Sequence, residues 1–225
     1  WAERLVHNYL NASDHHRAVP YGTSRSEPFT DMQTFRQYTI NEYLLQAWSA
    51  EGRWKRPDLL LISRGDLVKE CGNDQFTPDL KHLDNERCAD YVRNARSAIE
   101  VETSLWQVTK ATVGLSFTVK EEDHQCLCAW VRANNVPLYI VQVFYDEVYA
   151  MSFSDLETLI SEHAPPGRRV RPEVDRTTKK STYRIPLSEG KFLGRISEPE
   201  VEGRVFKAPN GRVTVYGRLH GSEII

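Results

Sequence analysis

The chain is expected to fold as an α/β protein: a central mixed β-sheet flanked by helices, with a β-rich C-terminal appendage. Three observations predict this. The apolar segments "PDLLLIS" (Pro57–Ser63) and "VPLYIVQVFY" (Val136–Tyr145) have the length and composition of buried strands. The segment "AIEVETS" (Ala98–Ser104) alternates apolar and polar residues, as a strand with two different faces does. Between them lie stretches of helical periodicity, and helices interleaved with strands pack as layers around a sheet.

Taken in order, Ala2–Leu10 sets Leu5, Val6, Tyr9 and Leu10 at helical spacing. His15, His16, Pro20 and Gly22 then mark a loop, and "SRSEPFTD" reads as polar and exposed. Met32–Ala50 carries Phe35, Tyr38, Leu44, Leu45 and Trp48 on a helical face, with Gly52 as a stop. Pro57–Ser63 is a strand opened by proline, where a missing N–H costs least. Arg64–Leu83, polar and glycine-containing, reads as an insertion or hairpin, and Asn85–Ser97 as a helix. Thr118 and Glu121 in "TVKE" spell a capping box before an apolar stripe of Cys126, Leu127, Trp130 and Val131, ending near Asn134–Asn135. Val136–Tyr145 and Glu147–Phe153 then form a hairpin, and Ser154 in "SDLE" caps a last helix.

From His163 the texture changes. "APPGRRVRPEVDR" reads as a linker, and "STYRIPL", "KFLGRIS", "GRVFKAP" and "GRVTVYGRL" as short strands. Asn210–Gly211 is a strong hairpin signal. The expected organisation is a core with N-terminal helices over 1–162 and a basic β-rich appendage over 163–225 within the same globular unit.

Charge follows the same division. The net charge is −2, yet Pro165–Ile225 holds 13 Lys and Arg against 7 Asp and Glu, a balance of +6, leaving −8 on the rest. A basic region on an acidic body suits an anionic partner, although a charged surface can also be merely solvated. No apolar run approaches the roughly 18 residues that span a membrane, and no signal peptide opens the chain. The four cysteines, Cys71, Cys88, Cys126 and Cys128, form no CxxC pair. Zinc held by Cys71, His82 and Cys88 fits no standard spacing, so reduced, buried thiols in a reducing compartment are expected.

One constellation carries chemistry. Asp58 opens the first apolar strand, and Glu100 and Glu102 share one face of another. If those strands are neighbours, three carboxylates converge, and like charges that close need a cation or a shared proton between them. Hard divalent ions such as Mg²⁺ take oxygen ligands, stabilise developing negative charge and activate water, which is the chemistry of phosphodiester hydrolysis. An ordinary half-buried strand also alternates Glu without any metal.

These residues resemble a known superfamily. "RPDLLLI" followed by "AIEVETS" is similar to the PD-(D/E)xK nucleases, in which an Asp after Pro and an acid two residues before a Lys bind Mg²⁺. Glu102 stands here where that Lys is usual, as it does in some restriction endonucleases, and Lys110 and Lys120 are candidates to replace its charge. A longer stretch, Ile99–Phe153, resembles the AccI-type type II restriction endonucleases, carried by "SFTVKEED" and "VPLYIVQVFYDEVYAMSF". The resemblance implies a restriction-endonuclease-like core and Mg²⁺-dependent cleavage of double-stranded DNA at a short palindromic site. Asp58, Glu100 and Glu102 would hold the metal and act catalytically with Lys120; Glu42 is a further candidate acid from the first long helix. A prokaryotic cytoplasm and a two-fold homodimer, matching the symmetry of a palindrome, are implied too.

Carboxylates repel phosphate, so cations elsewhere must supply DNA affinity. Arg168, Arg169, Arg171, Lys179 and Lys180, with Arg176 and Arg184 in the same run, are the candidates for phosphate contact. His15–Ser26 is a candidate for base reading. A structure-specific repair nuclease, or a DNA-binding protein without catalysis, are the alternatives.

Overall fold

The structure, a computed structural model, describes residues 1–22, 55–72, 77–81, 83–104, 106–112, 114–174, 180–197, 200–207, 213–220 and 223–225. In chain order its elements are α1 (Ala2–Asn11), β1 (His16–Pro20), β2 (Leu59–Ser63), α2 (Arg64–Cys71), α3 (Asn85–Asn94), β3 (Ala95–Thr103), β4 (Ser116–Lys120), α4 (Glu121–Asn134), β5 (Leu138–Val143), β6 (Glu147–Ser152), α5 (Phe153–Ile160), β7 (Glu173–Val174), β8 (Ser181–Pro186), β9 (Lys191–Arg195), β10 (Glu200–Lys207) and β11 (Val213–His220).

The expected α/β architecture is present. A mixed six-stranded sheet runs in the order β1-β2-β3-β5-β6-β9. Only β3 and β5 are parallel; the other neighbours are antiparallel. A parallel step needs a crossover, and β4 with α4 provides it. β4, β8 and β7 form a second sheet, while β10 and β11 pair by themselves. Strands from the β-rich C-terminal part therefore complete both sheets of the core.

Strand alternation sorts the core into two layers. One face of the main sheet presents Leu59, Ile99, Val141, Val143 and Val148 to Leu5 and Val6 of α1. The other presents Leu60, Ile62, Ala98, Leu138 and Ile140 to Phe117 and Val119 of β4, Leu127 and Trp130 of α4, and Leu156 and Leu159 of α5. Along β3 this second row runs from Ala98 to Glu100 and Glu102. The two glutamates thus continue a buried row, turned toward β4 and the start of α4.

Several local expectations are corrected. His16–Pro20 is a strand, not a loop: it pairs antiparallel with β2, and Ala18 and Val19 are buried. The candidate base-reading stretch therefore begins inside the sheet. Arg64–Cys71 is a helix, not a hairpin. Ser63 accepts a hydrogen bond from the Asp66 N–H and Gly72 closes the helix with φ of 78°, the left-handed conformation that favours glycine. α3 stops at Asn94 because Ala95 already belongs to β3. Thr118 does not cap a helix. It lies in β4, opposite Arg184 of β8, and its N–H goes to Gln142. The cap of α5 is Ser152 rather than Ser154, with the Asp155 N–H as its donor. The expectations for "SRSEPFTD", Met32–Ala50, Glu42, His82 and Asn210–Gly211 fall outside the described residues.

Candidate active site

Asp58 sits where β1, β2 and β3 meet. Its carbonyl accepts hydrogen bonds from the N–H groups of Tyr21 (2.9 Å) and Gly22 (3.1 Å). A side chain at position 22 would bring a Cβ within 2.9 Å of the Asp58 Cα, so glycine allows this approach. The Asp58 Oδ2 accepts from the Val101 N–H at 2.8 Å, across the strand pair. Leu59 pairs with Ile99, so Asp58 comes level with Glu100 one step further on.

Asp58 and Glu100 are 5% and 2% exposed, depths at which an unpaired carboxylate is costly. Lys55 donates a hydrogen bond to Glu100 Oε1, while the buried Oε2 has no hydrogen-bond partner. Burial lifts the Glu100 carboxyl well above the usual range; the charge of Asp58 adds to this and Lys55 opposes it. Glu102 is half-buried, and burial pushes its carboxyl up to about 7 against the pull of Lys55 and Lys120.

A fourth carboxylate completes the group. Asp123, in the first turn of α4, lies 3.4 Å from Lys55 Nζ and 3.2 Å from Lys120 Nζ. Burial would raise its pKa, but the two ammonium groups hold it below the ordinary value. Burial likewise pulls Lys55 and Lys120 down, and the surrounding carboxylates more than offset that, so both stay charged. Gln142 of β5 is level with Glu102 in the parallel register and fully buried. Its Oε1 accepts from the Thr118 N–H at 3.0 Å, holding β4 in place two residues before Lys120.

The donor set fits a hard divalent cation. The orphaned Glu100 Oε2, the neighbouring Asp58 and Glu102 crowd carboxyl groups whose burial and mutual repulsion raise the Glu100 and Glu102 pKa values, and an oxygen-seeking divalent ion would relieve that repulsion.

Asp58, Glu100, Glu102 and Lys120 are therefore brought together. Lys110 is exposed at the end of a 3-10 turn, and among the described residues no ion pair joins it to the acidic group. Lys55, Asp123 and Gln142 were missed by sequence reasoning. Asp123 lies within the "KEED" run, and Gln142 is a polar residue inside an otherwise apolar strand, which is a signal in itself. Lys55 has only its place just before Pro57–Asp58.

The basic run is partly compensated within the chain. Arg168 pairs with Glu189, Lys180 with Glu122, and Arg169 lies 3.9 Å from Glu162. Arg171 is exposed, and Lys179 falls outside the described residues.

A mixed sheet with helices on both faces, bearing carboxylates on neighbouring strands beside lysines, places the chain among proteins with a restriction-endonuclease-like core. The model of the AccI restriction endonuclease family matches residues 110–223, half of the chain, and the chain belongs to that family. Membership makes it a nuclease, a hydrolase with DNA as substrate. The matched region contains Lys120, Asp123 and Gln142, while Asp58, Glu100 and Glu102 lie upstream of it. No curated protein and no solved structure matches the chain. Among the described residues, no helix is long and apolar enough to cross a membrane.

Proposed function

We propose that the protein is a type II restriction endonuclease that uses Mg²⁺ to cut double-stranded DNA at a short palindromic site, acting as a homodimer. The observation that carries this is the buried pair of Asp58 and Glu100, with an oxygen lacking a hydrogen-bond partner and two lysines alongside.

Asp58 and Glu100 would hold the ion, with Glu102 as a third oxygen donor. Bound there, Mg²⁺ would supply Lewis-acid stabilisation of the phosphoryl oxygens and a more acidic water. The chain's own groups do the rest. Through the oxygen that does not ligate the ion, the Glu102 carboxylate can orient the attacking water and accept its proton. Lys120 offsets negative charge developing on the phosphate, the task that the usual motif lysine performs, while Lys55 neutralises Glu100 until the ion binds. Asp123 keeps both ammonium groups aimed at the centre. Phosphate affinity would come from Arg168, Arg169, Arg171, Lys179 and Lys180. The ion pairs seen there are exposed and worth little, so DNA phosphates can displace the glutamates.

Plasmid incubated with the protein and Mg²⁺, followed by end mapping, tests this. Discrete bands with one sequence at every end are expected. Cleavage confined to branched or damaged DNA would indicate a repair nuclease, and binding without cleavage a non-catalytic protein. Asp58→Ala and Glu100→Ala should each abolish cleavage while the far-UV circular dichroism is retained. Wild-type turnover by either variant would remove these residues from the site.

A further inference from the structure

Behind the acidic group, on the part of α4 that faces α5, lies a second cluster of chemistry-bearing side chains. His124 and Cys128 are one helical turn apart on α4, and Glu157 comes from α5. The Cys128 Sγ lies 3.5 Å from His124 Nε2 and 3.3 Å from Glu157 Oε2, and Nε2 also meets Glu157 Oε1. One ligand atom from each of the three residues lies within 4.8 Å of the others.

Two chemistries use these residue types. In a nucleophilic relay, histidine takes the thiol proton at one ring nitrogen and is oriented by the carboxylate at the other. Here the thiol and the carboxylate both face the same nitrogen, Nε2. That convergence suits joint ligation instead. Ligand atoms held tetrahedrally at about 2.0–2.3 Å from Zn²⁺ sit about 3.3–3.6 Å apart, and the sulfur's two contacts match those edges. The geometry points to a binding site for a borderline-soft divalent cation of the Zn²⁺ class at His124, Cys128 and Glu157, separate from the carboxylate centre.

Charge and access agree. A thiolate, a carboxylate and a neutral imidazole together carry two negative charges, which one divalent ion cancels. Burial and the Glu157 carboxylate push the free Cys128 thiol up to about 12, so the ion itself displaces the proton, which passes to solvent as the thiolate binds. Glu157 is 38% exposed, and with Cys128 it lines a cleft of about 430 Å³ that Arg132, Tyr139 and Ser154 also border. The cleft leaves room for a water or a small ligand in the fourth position. An ion there would tie α4, which carries Asp123 in its first turn, to α5. The site does not depend on the role assigned to Asp58 and Glu100, whose all-oxygen donor set prefers a harder ion.

Titration of the purified, reduced chain with Co²⁺, followed by competition with Zn²⁺, tests this. A thiolate-to-cobalt charge-transfer band should grow to one equivalent and be removed by Zn²⁺. Cys128→Ser should abolish it, and Cys126→Ser, on the same helix but outside the cluster, should retain it. Glu157→Gln, at a half-exposed position that does not open the core, should weaken metal binding by about ten-fold or more while leaving Mg²⁺-dependent DNA cleavage unchanged. A missing band, or one that survives both Cys128→Ser and Glu157→Gln, would overturn the assignment. Should Cys128→Ser fail to fold, unchanged affinity in Glu157→Gln would overturn it alone.

Discussion

Two lysines face one acidic centre, and their contacts suggest different tasks. Lys120, at the end of β4, is held by Asp123 and acts on Glu102 through its charge. Lys55 hydrogen-bonds directly to Glu100, the carboxylate that a metal would need. We expect Lys120→Ala to lower kcat about 10²-fold, as loss of one charge-stabilising donor typically does, with little change in the Mg²⁺ requirement. Lys55→Ala removes a competing cation and should lower the Mg²⁺ concentration that gives half-maximal rate. Steady-state kinetics across a Mg²⁺ series reads both, and the opposite pattern would exchange the two roles.

At the scale of elements, the site depends on how closely strands approach and on how turns are pinned. β1 reaches Asp58 because residue 22 is glycine. Gly22→Ala forces the Asp58 backbone away; a displacement of about 1 Å at a catalytic group can cost about 10²-fold in rate. A loss of kcat with unchanged far-UV circular dichroism is the expected result, and full activity would show that the site tolerates the shift. Asp146, in the β5–β6 turn, accepts hydrogen bonds from the Val108 N–H (2.7 Å), the Thr109 N–H (3.0 Å) and the Thr109 hydroxyl (2.7 Å). Burial raises its pKa, but these bonds outweigh it and hold the carboxyl below its ordinary value. A depressed folded pKa contributes stability above the unfolded value of about 3.9, which is lost as pH falls through the folded one. Asp146→Asn should therefore melt lower than wild type near neutral pH, with the difference shrinking in acid. Equal melting temperatures at neutral pH would contradict it.

For the whole molecule, DNA must reach an acidic body through basic side chains. Each phosphate neutralised adds about 0.9 to the salt dependence of binding to duplex DNA. Replacing Arg168 and Arg169 together by Ala should reduce the slope of log K against log salt, measured by fluorescence anisotropy. An unchanged slope would mean that both stay with Glu189 and Glu162 when DNA is bound. A palindromic target further calls for two copies related by a two-fold axis. Sedimentation with a site-bearing duplex should then show two chains per duplex, and one chain per duplex would exclude the symmetric arrangement.

The apolar runs at Leu59–Ser63 and Leu138–Val143 declared themselves because burial on both faces demands continuous hydrophobicity, and Glu100 and Glu102 stood out as charges within such a pattern. Pro57–Asp58 and the Glu100–Glu102 pair were legible for the same local reason. By itself the sequence determined the α/β class and its carboxylates. Tertiary structure alone decided that Ser116–Lys120 is a strand: Phe117 and Val119 are buried against β8 and Gln142 takes the Thr118 N–H, which outweighs a capping signal written in the same residues. It also decided that Lys55 and Asp123, distant in sequence, face the same acids. Such meetings depend on strand order and register, set by long-range pairing that no short window of sequence contains.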